Sequence, residues 1–317
     1  MRIVKQEYQL LDGANRALVT RVGDGSIITR FEKTPLPIEP SDVVCPHFLE
    51  LKWATGCNFS CSWCYLNGTL RFRPQKSRPY IKPYDKIEQH VNTFLQNVDG
   101  SGELLNTGEL ADSLMNEKNG NPFSKFIISL FQEQRTHKVL FLTKSSYVKH
   151  LLDITDHDQV IVSFTLNADS VARRFERGAP SVSDRIEAAT KLSRAGYEVR
   201  LRIDPMVPVE DWENGYLGLI DDIFSHFTPS RITLGSLRGL QSTINQATDK
   251  SWVSYLSEKS NWGKRIDSSV RHLMYNKVIR YLKEKYKYNN VALCKETLDM
   301  WNRLGMDYRK IKCNCLL

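Results

Sequence analysis

"GCNFSCSWCYLNGTL" (residues 56–70) places three of the chain's seven cysteines within eight positions: Cys57, Cys61 and Cys64, spaced C-x3-C-x2-C. Most protein metal sites need four ligands. Structural zinc sites carry two cysteine pairs or a Cys/His set that saturates the ion, and a ferredoxin supplies four thiolates per cluster. No neighbour completes such a set here, because His47 precedes the loop and His90 falls well inside the next helical pattern. Two options remain: a fourth ligand from the C-terminal tail, or a ligand that the protein does not supply. In the second case the gap is where chemistry happens.

The loop follows "HFLELKWA" (47–54), which reads as a strand, and from there strands and helices alternate. "YDKIEQHVNTFLQNV" (84–98) has helical apolar spacing, "GELLNTG" (102–108) is a short strand, and "NPFSKFIISLFQEQ" (121–134) is a helix. "KVLFLTK", "QVIVSFTLN", "YEVRLRIDPMVP" and "SRITLGSL" are further strands, separated by "SYVKHLLDI", "VSDRIEAATKLSRAG" and "NGYLGLIDDIFSHF" as helices. About six such units between 47 and 238 imply an α/β fold with a parallel sheet and right-handed crossovers. Six units are too few for a closed eight-fold barrel, so the expectation is a partial (β/α)6 TIM-type barrel over 47–240. An N-terminal β-hairpin and Pro-rich linker (1–46) precede it. A basic, helical C-terminal extension (241–317) with a cysteine-bearing tail follows. In barrels of this kind the functional residues lie in loops after the strands, which is where the three cysteines fall.

Composition is that of an ordinary globular chain, 41% hydrophobic and 25% charged. No apolar run approaches the roughly 18 to 20 residues of a transmembrane helix, and the N-terminus lacks a signal-peptide core. Unevenly clustered cysteines suggest ligands or reactive thiols more than a secreted disulfide scaffold. The expected location is the cytoplasm, with no membrane partner. The net charge of +8 makes an anionic partner plausible. "RFRPQKSRPYIK" (71–82) has five basic residues and no acid, and 250–290 has ten Lys or Arg against three Asp or Glu.

Three thiolates on a [4Fe–4S] cluster leave one iron open, and this spacing after the first barrel strand resembles the radical S-adenosylmethionine (SAM) superfamily. Trp63, just before the last cysteine, strengthens the match and stands among the expected cofactor contacts. The resemblance implies that SAM sits on the open iron and yields a 5′-deoxyadenosyl radical that takes hydrogen from a substrate. Gly108 and Glu109, after the second strand, match the superfamily's Gly-Glu motif at the SAM ammonium, where a carboxylate is the natural partner. Lys144 ends the third strand and is placed to meet the SAM carboxylate. Alternation sets Ser163, Thr165 and Asn167 on one face of the fourth strand, suited to ribose or the methionyl group. Arg202 and Asp204 share a face of the fifth and either line the pocket or form a structural ion pair.

"CSWCYLNGTL", "LFLTKSSYVKHLLD", "FTLNAD", "FERGAPSVSDRIEAATKLSRAGYEV" and "WENGY" narrow the match. Together they resemble the spore photoproduct lyase family over roughly 45–240. That family uses the adenosyl radical to reverse a thymine dimer in DNA. The resemblance assigns Cys57, Cys61 and Cys64 to the cluster, Lys144 and Thr165 to SAM, and Tyr65 to the substrate side. One departure matters: true lyases carry on the second-strand motif a cysteine that returns hydrogen to the product radical, and "TGELADS" has Glu109 or a neighbour instead. A family member with another substrate is therefore expected.

Four cysteines remain. Cys45, before the first strand, reads as a buried structural thiol. Cys294, Cys313 and Cys315 allow three readings: a second Fe–S cluster with one ligand from elsewhere, a tail over the barrel mouth whose Cys315 acts as hydrogen donor or relay, or a plain thiol pair at a disordered terminus. Substrate classes stay equally open. Nucleic acid is favoured by the basic stretches, with Arg71, Arg73, Lys76 and Arg78 placed to hold phosphates and the aromatics of 251–265 to stack on bases. The alternatives are a small metabolite or peptide, and a non-catalytic metal- or nucleic-acid-binding module. An electron donor such as flavodoxin or ferredoxin is implied for either enzyme.

Overall fold

The structure is a computed structural model describing residues 1–96 and 102–317. Its centre is a ten-stranded sheet. Three strands from the N-terminus, β1 (Ile3–Gln9), β2 (Asn15–Val22) and β3 (Ile28–Phe31), pair antiparallel in succession. The third then joins β4 (Phe48–Leu51) antiparallel. The expected hairpin therefore extends the barrel sheet instead of standing apart from it. Beyond it lie parallel strands β5 (Leu104–Asn106), β6 (Lys138–Thr143), β7 (Val160–Leu166), β8 (Glu198–Met206) and β9 (Arg231–Ser236). A seventh parallel strand, β10 (Val291–Leu293), closes the order beside β9. Three residues are too short to show a period in the sequence, so it went unread.

Helices α1 (Tyr84–Leu95), α2 (Phe123–Phe131), α3 (Val182–Arg194) and α4 (Trp212–His226) cross between strands as expected; positions 97 and 98 of the first expected helix lie outside the described residues. The third is held at its start by a capping box between Ser181 and Asp184 and released at Gly196, whose φ of +91° suits glycine. The reading of 240–290 as helical needs correction. Only Gln241–Gln246 and the long α5 (Ser268–Tyr286) are α-helical. Between them Glu258–Ser260, Gly263–Arg265 and Arg238–Gly239 form a small antiparallel sheet. Gly263 has a φ of +89°, and a Cβ there would sit 2.5 Å from the Gly239 carbonyl, so the turn needs glycine.

The large sheet curls. Asn314 hydrogen-bonds Thr233 on β9 at 2.9 Å, and its neighbour Cys315 accepts from Asn106 on β5 at 3.9 Å. Four strand spacings would separate these partners by roughly 19 Å in a flat sheet. The C-terminal tail thus lies inside a curved sheet. Leu317 packs on Leu104, Leu140 and Ile161, and Arg200 near the start of β8 donates to the carbonyls of Asn314 and Leu316. Leu316 and Leu317 lie towards the strands' N-terminal ends, while Cys315 reaches the end of β5, where Asn106 also accepts from Gly108 N–H at 2.9 Å.

Candidate active site

The cysteine loop is shaped by backbone contacts that fix its thiols. Gly56, at φ +96°, could not carry a Cβ, which would meet the Ser77 and Arg78 carbonyls within 2.5 Å. Cys57 N–H donates to the Ser77 carbonyl at 2.9 Å. Ser60–Cys61 pairs antiparallel with Glu176–Arg177, and Ser62 N–H reaches the Phe175 carbonyl at 2.8 Å. The turn Cys61–Cys64 closes with a 3.1 Å bond from Cys64 N–H to the Cys61 carbonyl before the short helix Leu66–Thr69.

One cavity of about 130 Å³ gathers Cys57, Cys61 and Cys64 with Tyr65, Gly108, Glu109, Asp112, Lys144 and Thr165. These residues come from the loops or ends of four strands, as barrel logic requires. Close approach at the second strand needs Gly108, where a Cβ would stand 2.5 Å from the Leu142 side chain. Asp112, a wall residue that sequence reasoning passed over, accepts from Thr143 Oγ1 and Lys144 N–H, both at 2.7 Å, and from Leu114 N–H at 3.0 Å. Its carboxylate is thereby engaged in tying two strand ends together. Glu109 is the acid left facing the space, with the Tyr65 hydroxyl donating to its backbone carbonyl.

Lys144 lies 3.7 Å from Glu176, which pairs with the buried Arg185 at 2.6 Å. Burial opposes the lysine's charge, but Glu176 outweighs it and its pKa moves upward. Lys144 therefore stays cationic at the cavity wall. Burial also pushes the Cys57 and Cys61 thiols up to about 12, and the Cys64 thiol upward. Left alone these sulfurs are protonated, so metal binding there must release protons.

Other expected site residues stand elsewhere. Trp63 is buried against Phe175, ring centroids 5.0 Å apart. Ser163 shares the Thr165 face as alternation implies, yet it accepts from the tail's Asn314 at 2.9 Å. Asn167 is fully buried, donating to the Pro205 carbonyl and accepting from the Tyr216 hydroxyl. Arg202 donates to Cys315 Sγ at 3.1 Å, and Asp204 pairs with Arg238, at 2.9 Å. The tail, whose packing no local pattern announces, engages Ser163 and Arg202.

The two basic stretches differ. Arg71 and Lys76 are exposed, as are Arg78, Phe72 (84%) and Tyr80 (55%), while Arg73 is half-buried. Among the described residues none of those four cations forms an ion pair. In 250–290, by contrast, Arg265 and Arg271 are buried on Glu296, and Lys277, Arg280 and Lys285 pair with acids. Trp252 is fully buried. The expected stacking surface is therefore not formed by that tryptophan.

A family model described as spore photoproduct lyase matches residues 28–299. The chain belongs to the spore photoproduct lyase family. It is 30% identical to the spore photoproduct lyase of Bacillus subtilis over 185 residues, 55% of this chain and 50% of that one. With the Geobacillus enzyme it shares 28% over 172 residues, 54% and 49% of the two chains. The chain thus spans about half the length of the curated relatives it matches. Among solved structures, a spore photoproduct lyase complexed with dinucleoside spore photoproduct superposes at a TM-score of 0.65, with 20% identity over 77% of this chain and 75% of the other. A mutant of that enzyme with bound AdoMet and the same dinucleoside gives 0.64 at 20% identity, covering 78% and 75%. Streptococcus suis SuiB bound to its precursor peptide gives 0.53 at 13% identity, covering 79% and 49%. These likenesses show that the chain shares the fold of spore photoproduct lyase.

Proposed function

We propose that the chain is a radical SAM enzyme acting on nucleic acid. The observation that carries this reading is the single cavity shared by Cys57, Cys61, Cys64, Gly108, Glu109, Lys144 and Thr165. Three thiols with no fourth cysteine or histidine on the wall fit a [4Fe–4S] cluster with one open iron.

When bound, cluster and SAM supply a one-electron cleavage that yields a hydrogen-abstracting radical. The chain's own part is to bind, orient and shield. Cys57, Cys61 and Cys64 would hold three irons. Glu109 would accept from the SAM ammonium, and Lys144, kept charged by Glu176, would donate to its carboxylate. Thr165 is placed to bond the nucleoside portion. Tyr65, anchored on the Glu109 carbonyl and 36% exposed, stands at the rim towards solvent and substrate.

The substrate reading rests on the segment 71–82, bound to the cysteine loop through Cys57 and Gly56 and carrying unpaired Arg71, Arg73, Lys76 and Arg78 beside exposed aromatics. Cations hold phosphates and rings stack on bases. A paired base must be turned out to reach the cavity. No thiol occurs in 106–113, so lesion repair by the lyases' own hydrogen return is not the route proposed; base repair or modification by another termination step is. An external donor such as flavodoxin or ferredoxin would reduce the cluster.

The test is oligonucleotide binding across a salt series. Affinity should fall steeply with salt, and an Arg71→Ala/Arg73→Ala/Lys76→Ala/Arg78→Ala variant should show a shallower slope. Salt-independent or absent binding would overturn the nucleic-acid reading and favour a small metabolite or peptide.

A further inference from the structure

The chain's seven cysteines fall into two spatial groups, three in the loop and four elsewhere. Cys45 and Cys315 are buried in one small core with Phe31 and Phe48, and Cys313 packs against it. Cys313 and Cys315 are two residues apart in the tail and both meet this core. Cys294 joins them through Arg238, which donates to its sulfur and pairs with Asp204, two residues along β8 from the Arg202 that donates to Cys315. The fold explains the meeting. Val43–Val44 pairs antiparallel with Glu296–Thr297, with Val44 opposite Glu296, so Cys45 and Cys294 leave that ladder on the same side. The tail brings the other two from inside the sheet.

The surroundings are those of an anionic sulfur site. Arg202 Nη2 donates to Cys315 Sγ at 3.1 Å, and Arg238 Nη2 to Cys294 Sγ at 3.5 Å. Arg202 Nε, on the same guanidinium, is buried with no hydrogen-bond partner. An unmet buried donor costs free energy, and an absent acceptor beside the thiols accounts for it. Lys295 adds a third cation near Cys45. Against these stand two carboxylates, Asp204, bound to Arg238, and Glu109. These groups leave one net positive charge beside the sulfurs, which would partly offset the two negative charges of a four-thiolate [4Fe–4S]2+ centre.

We propose that Cys45, Cys294, Cys313 and Cys315 hold a second [4Fe–4S] cluster inside the curved sheet. Four thiolates are the complete ligand set of such a cluster, so it has no open iron and no site for SAM. Binding releases the four thiol protons and pins the tail into the sheet. The proposal goes beyond the proposed function and does not depend on it.

The experiment counts iron and sulfide in full-length protein, purified and reconstituted without oxygen. Wild type should hold about eight irons, and Cys57→Ala/Cys61→Ala/Cys64→Ala about four. The iron kept by that variant should show a [4Fe–4S] Mössbauer signature. Cys313→Ser/Cys315→Ser should also keep about four, with circular dichroism verifying its fold. The loop variant leaves the second site untouched, so the test survives misfolding of the tail variant. Wild type with about four irons, all lost in the loop variant, would overturn the second cluster while leaving the loop cluster standing. Zinc bound by the four cysteines, or free thiols with Cys315 titrating alone, would overturn it equally. A wild type with about four irons that the loop variant retains would support the second cluster and sink the first.

Discussion

Cys57, Cys61 and Cys64 come from one eight-residue loop, whereas Cys45, Cys294, Cys313 and Cys315 come from a linker, a strand end and the tail. The first group comes from one loop shaped by a glycine turn and a tight turn, with one antiparallel bridge to Glu176–Arg177. The second exists only because the sheet curls and the tail enters it. Sulfur chemistry set by spacing can thus be separated from sulfur chemistry set by the fold, and the two should respond differently to damage.

The largest expected effect falls on the fold-dependent group. Glu296 is fully buried, paired with Arg265 at 3.0 Å and with Arg271, and it accepts from the Tyr275 hydroxyl. Glu296→Gln would leave the buried Arg265 guanidinium without a counter-charge, Arg271 keeping Glu258 at 2.9 Å, at a cost of about 3–5 kcal/mol, read in urea unfolding curves. It also loosens the ladder that aligns Cys45 with Cys294. A loss below about 1 kcal/mol would break the claim that this ladder depends on the ion cluster.

Gly108→Ala probes the loop side. The added methyl would overlap the Leu142 side chain, for about 1–3 kcal/mol of overpacking and at least about a tenfold weaker SAM affinity. Unchanged equilibrium binding of SAM would place its amino group elsewhere.

Between the groups lies Glu50 on β4, whose carboxyl is pushed up to about 7, first by burial and then by Glu109. The folded chain therefore holds a proton that the unfolded chain has lost, and this contribution to stability fades as pH rises from about 4.5 to about 7. Glu50→Gln should flatten that part of the stability–pH curve, by on the order of 3 kcal/mol at most. An unaltered curve would show that Glu50 titrates normally.

The smallest stability effect belongs to the exposed segment. Removing the charges of Arg71, Arg73, Lys76 and Arg78 should change stability by about 0.5 kcal/mol or less per site, measured by thermal unfolding. A large loss would make them structural residues and weaken their phosphate role.

The same division governs what the sequence discloses. The barrel strands were legible because apolar runs and intervening helices are local patterns, and the loop thiols because their spacing is local. Gly108, Glu109, Lys144 and Thr165 could be placed by strand ends and alternation, and the structure brings them to one cavity. Asp112 and Glu176 were overlooked because their importance lies in cross-strand bonds to Thr143, Lys144 and Arg185. Ser163, Asn167 and Arg202 were on the expected faces, but a tail from more than a hundred residues away occupies two of them. Cys45 read as inert because its partners are some 250 residues distant. The seventh strand, three residues long, carried no period at all.

The most direct test of the central claim is SAM cleavage by anaerobically reconstituted protein with dithionite, followed as 5′-deoxyadenosine. The account predicts that wild type forms the nucleoside and that Cys57→Ala/Cys61→Ala/Cys64→Ala, folded by circular dichroism, does not. Intact SAM with iron-loaded wild type, or zinc in place of iron at the loop, would contradict it.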